Sequence, residues 1–297
     1  MSWASRVSAS GGAALGGPPG QRRPSETGWA AASPRALRTA AAAASIAGAA
    51  VIWLILLGPI IALLTHLSAG AIKASLTTPG ALEPLVVSLE SGAITLGVLV
   101  LLGTPLAWML ARGRLPFPRI WEAGILCSLL LPPLVIGLLL IFIVGPYTLI
   151  GQWLGALHLS ASNTFLALVI AHVYESAPYY VLGALAAFAG VDPRMEQQAA
   201  LLGDRPARVV RRVTLPLAAP GLAMALAVAW ARAMGAFGAV VIIAYHPYGL
   251  PLQIWVTLQE TGLASALPFA LVLIVVALPL PLAAYIWSAR AQRRRQA

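Results

Sequence analysis

Six apolar runs, each long enough to cross a bilayer, dominate this sequence. A helix needs about 20 consecutive apolar residues to span the hydrocarbon core of a membrane. The runs are approximately 44–66, 86–110, 120–144, 163–189, 217–243 and 265–287. Charged residues make up only 9% of the 297 residues, too few to solvate the surface of a soluble fold of this length. The pattern predicts an all-α polytopic membrane protein with six transmembrane helices.

The segments outside these runs predict two tails and one short helix. Residues 1–38 are rich in Gly, Ala, Ser, Pro and Arg and are predicted to form a disordered cytoplasmic tail. Residues 39–290 form the six-span domain, and 291–297 form a basic cytoplasmic tail. The apolar stretch from Tyr147 to Leu157 is too short to cross, so it predicts a re-entrant or interfacial helix.

The basic residues indicate the orientation of the spans. Seventeen of the 19 Arg and Lys residues lie in the two tails and in the connections between spans two and three and between spans four and five. By the positive-inside rule, these four segments face the cytoplasm. Because no aromatic residues alternate with the arginines, we attribute the net charge of +10 to topology and predict no nucleic-acid partner.

The sequence contains no motif of a hydrolase or an ATPase. It has no H-E-x-x-H and no G-x-S-x-G, and its only lysine, Lys73, does not follow a phosphate-binding glycine loop. Cys127 is the only cysteine, so an intramolecular disulfide is impossible. We therefore predict no catalytic, cofactor or metal site, and any ATP-driven work needs a partner subunit.

The connection between spans four and five, residues 191–216, has a pattern of its own, and we call it the elbow. Pro193 can open a first short helix and Gly203 can close it, and Pro206 can open a second helix. The apolar residues of the second helix recur at helical spacing, at Pro206, Val209, Val210 and Val213. Such an exposed apolar face fits either a groove on another protein or the surface of an anionic membrane.

The elbow resembles the signature of bacterial ABC importer permeases, E-A-A-x3-G-x9-I-x-L-P. Here it reads Gln197-Gln198-Ala199-x3-Gly203-x9-Val213-x-Leu215-Pro216, and Glu196 lies one position before the motif's glutamate. The resemblance implies a type I importer (MetI-like) permease fold whose elbow docks on a separate ATPase subunit. The residues expected to couple to the ATPase are Glu196, Gln197, Ala199, Gly203, Val209, Val210, Val213, Leu215 and Pro216.

Three further stretches, at 103–112, 131–137 and 231–239, resemble the molybdate/tungstate and sulfate permeases. The last reads A-R-A-M-G-A-F-G-A, where those permeases usually read A-R-A-L-G-E-F-G-A, so Ala236 replaces a glutamate. The resemblance extends over residues 85–287 and implies import of a molybdate/tungstate-type oxyanion by alternating access. Ferric iron, sulfate, thiamine, polyamine or phosphonate is the alternative cargo, and a membrane scaffold or sensor is the rival function.

The same resemblance implies partners and a location. The partners are a second permease copy in a homodimer, two cytoplasmic ABC ATPase subunits, an extracytoplasmic solute-binding protein and membrane lipids. The location is the bacterial cytoplasmic (inner) membrane.

Polar groups inside the spans are candidates for the translocation path, because an ionisable residue in a bilayer is costly unless it is paired or hydrated. Arg232 in span five either attracts an anion or forms a structural ion pair with Glu175 or Glu90. The candidates for the path are Arg232, Gly235, Phe237, Glu175 and His172. The external connection from His246 to Gly262 either dips into the membrane or docks a binding protein.

Overall fold

The computed structural model describes residues 34–77 and 80–296, and all regular structure in these ranges is helical. The α-helices of the described residues are α1 (Pro34–His66), α2 (Ala69–Thr77), α3 (Glu83–Val98), α4 (Thr104–Ala111), α5 (Pro118–Leu130), α6 (Pro133–Val144), α7 (Leu149–Ala156), α8 (Phe165–Ala189), α9 (Pro193–Leu201), α10 (Pro206–Val209), α11 (Leu215–Met234), α12 (Gly238–Ile243), α13 (Leu250–Glu260), α14 (Leu263–Ala277) and α15 (Pro279–Gln296). Two π-helical turns, Leu99–Gly103 and Val210–Thr214, join α3 to α4 and α10 to α11.

Among these elements, five stretches are long and apolar enough to cross a membrane. They are Ala41–His66, Glu83–Ala111, Phe165–Ala189, Pro206–Met234 and Leu263–Ala291. The pair α5 and α6 makes a sixth span if it is counted as one, although its two helices are bent by 118°. On this count the predicted all-α, six-span architecture is confirmed.

The ends of the chain differ slightly from the predicted boundaries. Residues 1–33, most of the predicted disordered tail, lie outside the described residues, and 34–38 already belong to α1. At the other end, α15 continues through the basic tail as far as Gln296. The chain divides into two structural units, one ending at Pro59 and one beginning at Ile60.

The third predicted span is two helices and not one. Leu131 and Pro132 are both extended, with ψ near 133° and 137°. Each of these two residues precedes a proline, and the proline ring disfavours helical geometry in the residue before it. The consecutive prolines Pro132 and Pro133 therefore end α5, start α6 and produce the bend. By contrast, α8 passes through Pro178 without a break.

The fifth predicted span also ends early. α11 stops at Met234, and residues 235–237 separate it from the short α12. Gly235 lies in this region and Gly238 begins α12, and glycine is about 1 kcal/mol less favourable than alanine inside a helix. Arg232 in α11 and Ala239 in α12 therefore lie on separate helices, on the two sides of this break.

The second elbow helix is continuous with span five, although the predicted fifth span begins only at residue 217. The helix runs from Pro206 to Met234 through the π turn at Val210–Thr214. A π turn carries one extra residue, so it absorbs the break in the hydrogen-bond ladder that Pro216 causes. The same device precedes Pro105, where the π turn Leu99–Gly103 lies between α3 and α4.

The core of the second unit is built around α8. Its N-terminal half packs with α6 and α12, and its C-terminal half packs with α4 and α11. Small residues allow α8 and α11 to approach closely: a Cβ added at Gly183 would lie 2.7 Å from the Ala225 Cβ, and one added at Gly221 would lie 2.6 Å from the Ala187 Cβ. Such contacts drive helix association in membranes, where burial of apolar surface gives little advantage.

Candidate functional site

The elbow folds as the sequence predicted over its first half. Asp192 caps α9, because its carboxylate accepts a hydrogen bond from the Arg194 backbone N–H at 2.9 Å. α9 ends in a left-handed residue, Gly203, whose φ is +92°. The backbone N–H of Asp204 donates to the Ala199 carbonyl at 3.2 Å and that of Gly203 donates to Ala200 at 3.0 Å. These two bonds form a Schellman motif, which fixes the turn between the two elbow helices.

The apolar face of the second elbow helix does not face outward as predicted. Val209 is only 6% exposed, and Val210 is half-buried. Both line a cavity of about 400 Å³ between the elbow and the end of α4, which also contains Arg112 and Gln197. The most exposed large apolar side chains of the elbow are instead Leu201 and Leu202, at 88% and 89%, whereas Met195 is 46% exposed. The sequence signal for them is two leucines next to the terminal glycine of a polar helix.

The remaining predicted coupling residues are spread over the elbow surface. Gln197 and Pro216 are exposed, and Ala199, Val213 and Leu215 are half-buried. Of the predicted set, Glu196 alone forms an ion pair among the described residues.

Glu196 binds Arg112, a residue for which the sequence predicted no partner. Arg112 Nη2 lies 2.6 Å from Glu196 Oε1, and Arg112 Nε donates to Oε2 at 3.0 Å. The hydroxyl of Thr214, in the π turn, donates to the same Oε1 at 2.7 Å. The contact between Arg112 and Glu196 places two of the predicted cytoplasmic connections on one side of the bundle.

The ion pair keeps Glu196 charged. Burial by itself raises the pKa of this carboxyl group. The hydrogen bonds from Arg112 and Thr214, together with the positive charges of Arg112 and Arg114, outweigh that effect and hold the pKa of Glu196 below its usual value.

A second ion pair lies inside the spans. Arg232 Nη2, in the last turn of α11, is 2.5 Å from Glu175 Oε2 of α8. The other carboxylate oxygen of Glu175 accepts the backbone N–H of Ala239 at 3.1 Å. Glu175 therefore joins both sides of the break between α11 and α12. Of the two partners that the sequence left open, the structure selects Glu175 over Glu90.

The other path candidates lie on α8 and around this break. His172 is buried, and its Nδ1 has no hydrogen-bond partner in the described part of the chain. Phe237 packs against Trp255 of α13 with ring centroids 5.6 Å apart. Gly235 is exposed next to Arg232, whose side chain is 24% exposed. The described residues contain no group of three or more His, Cys, Asp or Glu side chains that could hold a metal ion.

The predicted external connection contains a helix, α13, that the sequence did not predict. α13 begins at Leu250, which is fully buried, and its backbone N–H donates to the Ser88 hydroxyl of α3 at 2.8 Å. This bond inserts the start of α13 into the bundle. The apolar residues of the helix follow His246-Pro247-Tyr248-Gly249, a segment of turn-forming residues that hid the pattern.

Comparison with known proteins identifies a matching family and several relatives of this chain. The family described as "Binding-protein-dependent transport system inner membrane component" matches residues 103–296. A probable molybdenum ABC transporter permease protein of Haloferax volcanii is 39% identical over 77% of this chain and 84% of its own length. The molybdenum transport system permease protein ModB of Mycobacterium tuberculosis is 36% identical over 74% of this chain and 84% of its own.

A solved structure supports the fold. A chain of a bacterial alginate ABC transporter, crystallised with an alginate pentasaccharide-bound periplasmic protein, superposes with a TM-score of 0.63. The match covers 86% of this chain and 97% of that one at 16% sequence identity. At that identity the likeness concerns the arrangement of helices.

Proposed function

Because this chain belongs to the family of inner-membrane components of binding-protein-dependent transport systems, we propose that it is the permease subunit of an ATP-driven importer. Its spans form the path for the solute, and ATP is hydrolysed by separate subunits. The molybdenum permeases among its relatives point to a molybdate- or tungstate-type oxyanion as cargo.

The exposed pair Leu201–Leu202 is the observation that carries this proposal. Both side chains project from a turn that a Schellman motif holds rigid, on the side predicted to be cytoplasmic. Burial of one leucine side chain stabilises a complex by roughly 1.5–3 kcal/mol. A groove on the ATPase subunit that accepts both leucines would therefore hold the elbow firmly, and the polar residues of α9 would remain at its edge.

The intramembrane ion pair supports an anionic cargo. Arg232 is the one Arg or Lys that lies within a predicted span, and part of its side chain is accessible. Its charge is balanced by Glu175, so the pair is tolerable in the bilayer without cargo. An oxyanion arriving at the break between α11 and α12 offers Arg232 an alternative partner. In this proposal, the structural and the transport roles of Arg232 coexist.

The full transporter, in this proposal, contains two copies of the permease, because six spans make half of the usual twelve-span channel. An extracytoplasmic binding protein delivers the solute to the face that carries α13. Both termini and the elbow face the cytoplasm, as the distribution of arginine predicts.

Docking is tested by purification of the permease with its ATPase. We expect Leu201→Asp/Leu202→Asp to insert normally and to lose the ATPase subunit, because two charges cannot enter an apolar groove. Leu263→Asp is the matched control: this leucine is 65% exposed at the start of α14, beyond the predicted external connection. Retention of the ATPase by the double variant would contradict the docking role of the elbow.

Cargo is tested by the ATPase rate of the purified complex. We expect stimulation by a binding protein loaded with molybdate or tungstate. Stimulation only by a ferric-iron or polyamine binding protein would assign a different cargo. Absence of uptake for every solute, with the ATPase still bound, would favour the scaffold or sensor function.

A further inference from the structure

A single guanidinium group connects the elbow to the membrane spans. Arg112, at the C-terminal end of α4, donates through Nε to both oxygens of Glu196, at 3.2 and 3.0 Å, and through Nη2 to Oε1 at 2.6 Å. Its Nη1 donates to the Phe188 carbonyl at 3.1 Å, and its Nη2 also donates to the Val191 carbonyl at 3.4 Å. Arg112 therefore holds α9 of the elbow and the end of α8 at the same time.

Glu196 extends this connection to span five. Its Oε1 accepts the hydroxyl of Thr214, which is fully buried in the π turn before α11. The network thus joins the last turn of α4, the end of α8, the first elbow helix and the start of α11. These are the cytoplasmic-side ends of the second, fourth and fifth spans.

The geometry of the network makes it stiff. The side chains of Arg112 and Glu196 are only 9% and 15% exposed, so water screens the pair weakly. Arginine presents its donors in a planar fork, and the fork is used here on two sides. The Phe188 carbonyl at the end of α8 already accepts the backbone N–H of Val191 at 3.1 Å, and Arg112 adds a charged donor to it. Displacement of α9 must therefore either carry the span ends with it or break several charge-assisted hydrogen bonds.

A second ion pair in the elbow provides a contrast. Arg208 Nη1 lies 3.2 Å from Asp204 Oδ1, four residues earlier, and the Arg208 side chain is 52% exposed. Both partners belong to the elbow and lie four residues apart, so this pair does not connect the elbow to the ends of α4 and α8. It is the matched control for the network around Arg112.

We infer that Arg112 is the positioning residue that transmits movement of the elbow to spans two, four and five, through Glu196 and Thr214. The inference rests on the proposed docking of the elbow on an ATPase subunit. Leu201 and Leu202 hold the partner, and Arg112 converts the displacement of the elbow into displacement of the helix ends that surround the path.

The experiment separates docking from transmission. The permease is purified with its ATPase, and three quantities are measured: the amount of bound ATPase, the basal ATP hydrolysis, and the stimulation by the loaded binding protein. We expect Arg112→Gln to keep the first two and to lose at least tenfold in the stimulation. Arg208→Gln should match the wild type in all three.

Arg112→Gln leaves the charge of Glu196 uncompensated, so a second, conservative variant is needed to distinguish loss of transmission from misfolding. Arg112→Lys keeps that charge balanced but cannot bond the carboxylate and both carbonyls together, so we expect an intermediate, several-fold loss of stimulation. Stimulation at the wild-type level in Arg112→Lys, or loss of the ATPase subunit from a folded Arg112→Gln complex, would overturn the inference. Failure of the wild-type chain to bind any ATPase would instead refute the proposed function.

Discussion

Replacement of Gly203 by valine tests the role of the turn between the two elbow helices. Gly203 has a φ of +92°, a region that side-chain-bearing residues adopt only with strain. A Cβ added to Gly203 would meet no atom within 4 Å. The cost of Gly203→Val therefore comes from the backbone and not from a steric clash.

The expected loss of stimulated ATP hydrolysis follows from the left-handed conformation of Gly203. A left-handed conformation costs a residue other than glycine roughly 1–2 kcal/mol, and a β-branched side chain costs more. A change of one or two kcal/mol alters a conformational equilibrium by a factor of about 5–30. Because the spans bury most of the core, the loss falls on the elbow. We expect stimulated ATP hydrolysis and uptake to fall by about that factor, with normal insertion.

Gly262 offers a close control in the same chain. Its φ is +91°, a Cβ there would also meet nothing within 4 Å, and it follows α13 at the predicted external side. Gly262→Val therefore carries the same backbone strain without touching the elbow. The measurement compares ATPase co-purification, stimulated hydrolysis and uptake for the two variants. Full stimulated activity in Gly203→Val, or an equal loss in Gly262→Val, would refute the reasoning.

Three further predictions concern packing, pH and the buried ion pair. Gly221→Leu should lower the melting temperature of the permease, because a Cβ there would lie 2.6 Å from a side chain of α8 and overpacking costs about 1–3 kcal/mol. Gly97→Leu is the control, because a Cβ at Gly97 would meet no atom within 4 Å. The pKa of Glu196 is lowered in the folded protein, so the stabilisation from its charged form is complete above the usual pKa of 4.5 and is lost as the pH falls through the lower folded pKa. The difference in melting temperature between the wild type and Glu196→Gln should therefore shrink as the pH is lowered through this range. A difference in melting temperature that does not depend on pH would contradict the prediction. Glu175→Gln should destabilise the chain by about 3 kcal/mol because it leaves the charge of Arg232 unpaired. The double variant Glu175→Gln/Arg232→Gln should recover stability in thermal unfolding, and it should still lack oxyanion uptake. No recovery of stability in the double variant would argue against the ion pair.

The sequence was sufficient for the features that depend on local chemistry. Apolar run length predicted the spans, and the order Pro193, Gly203 and Pro206 predicted the two elbow helices and their turn. In each case the determining residue acts within its own helix or turn, so one sequence contains the information. The family resemblance was confirmed for the same reason, because its motif lies on these local features.

Features that depend on contacts between distant segments were missed. Arg112 and Glu196 are 84 residues apart, and no spacing rule joins them. Val209 lines a cavity together with Trp108 and Arg112, about 100 residues earlier, and the spacing of apolar residues within the elbow does not reveal that contact. Leu201 and Leu202 were left aside because the apolar face of the neighbouring helix had the stronger helical period.

Breaks inside spans were the second kind of feature that the sequence did not predict. The length of an apolar run gave 120–144 and 217–243 as single helices, and both contain a break. The proline pair at 132 and 133 had a recognisable mechanism. The break after Met234 is supported by a hydrogen bond from Ala239 to Glu175, a residue 64 positions away.

Uptake of a labelled oxyanion into proteoliposomes tests the central proposal most directly. The vesicles contain this chain, its ATPase and internal ATP, and the binding protein and molybdate are added outside. We predict ATP-dependent accumulation of molybdate that tungstate inhibits, and no accumulation when Arg232→Gln replaces the wild type. Accumulation of ferric iron or a polyamine in place of molybdate, or molybdate uptake that continues without ATP, would contradict the account.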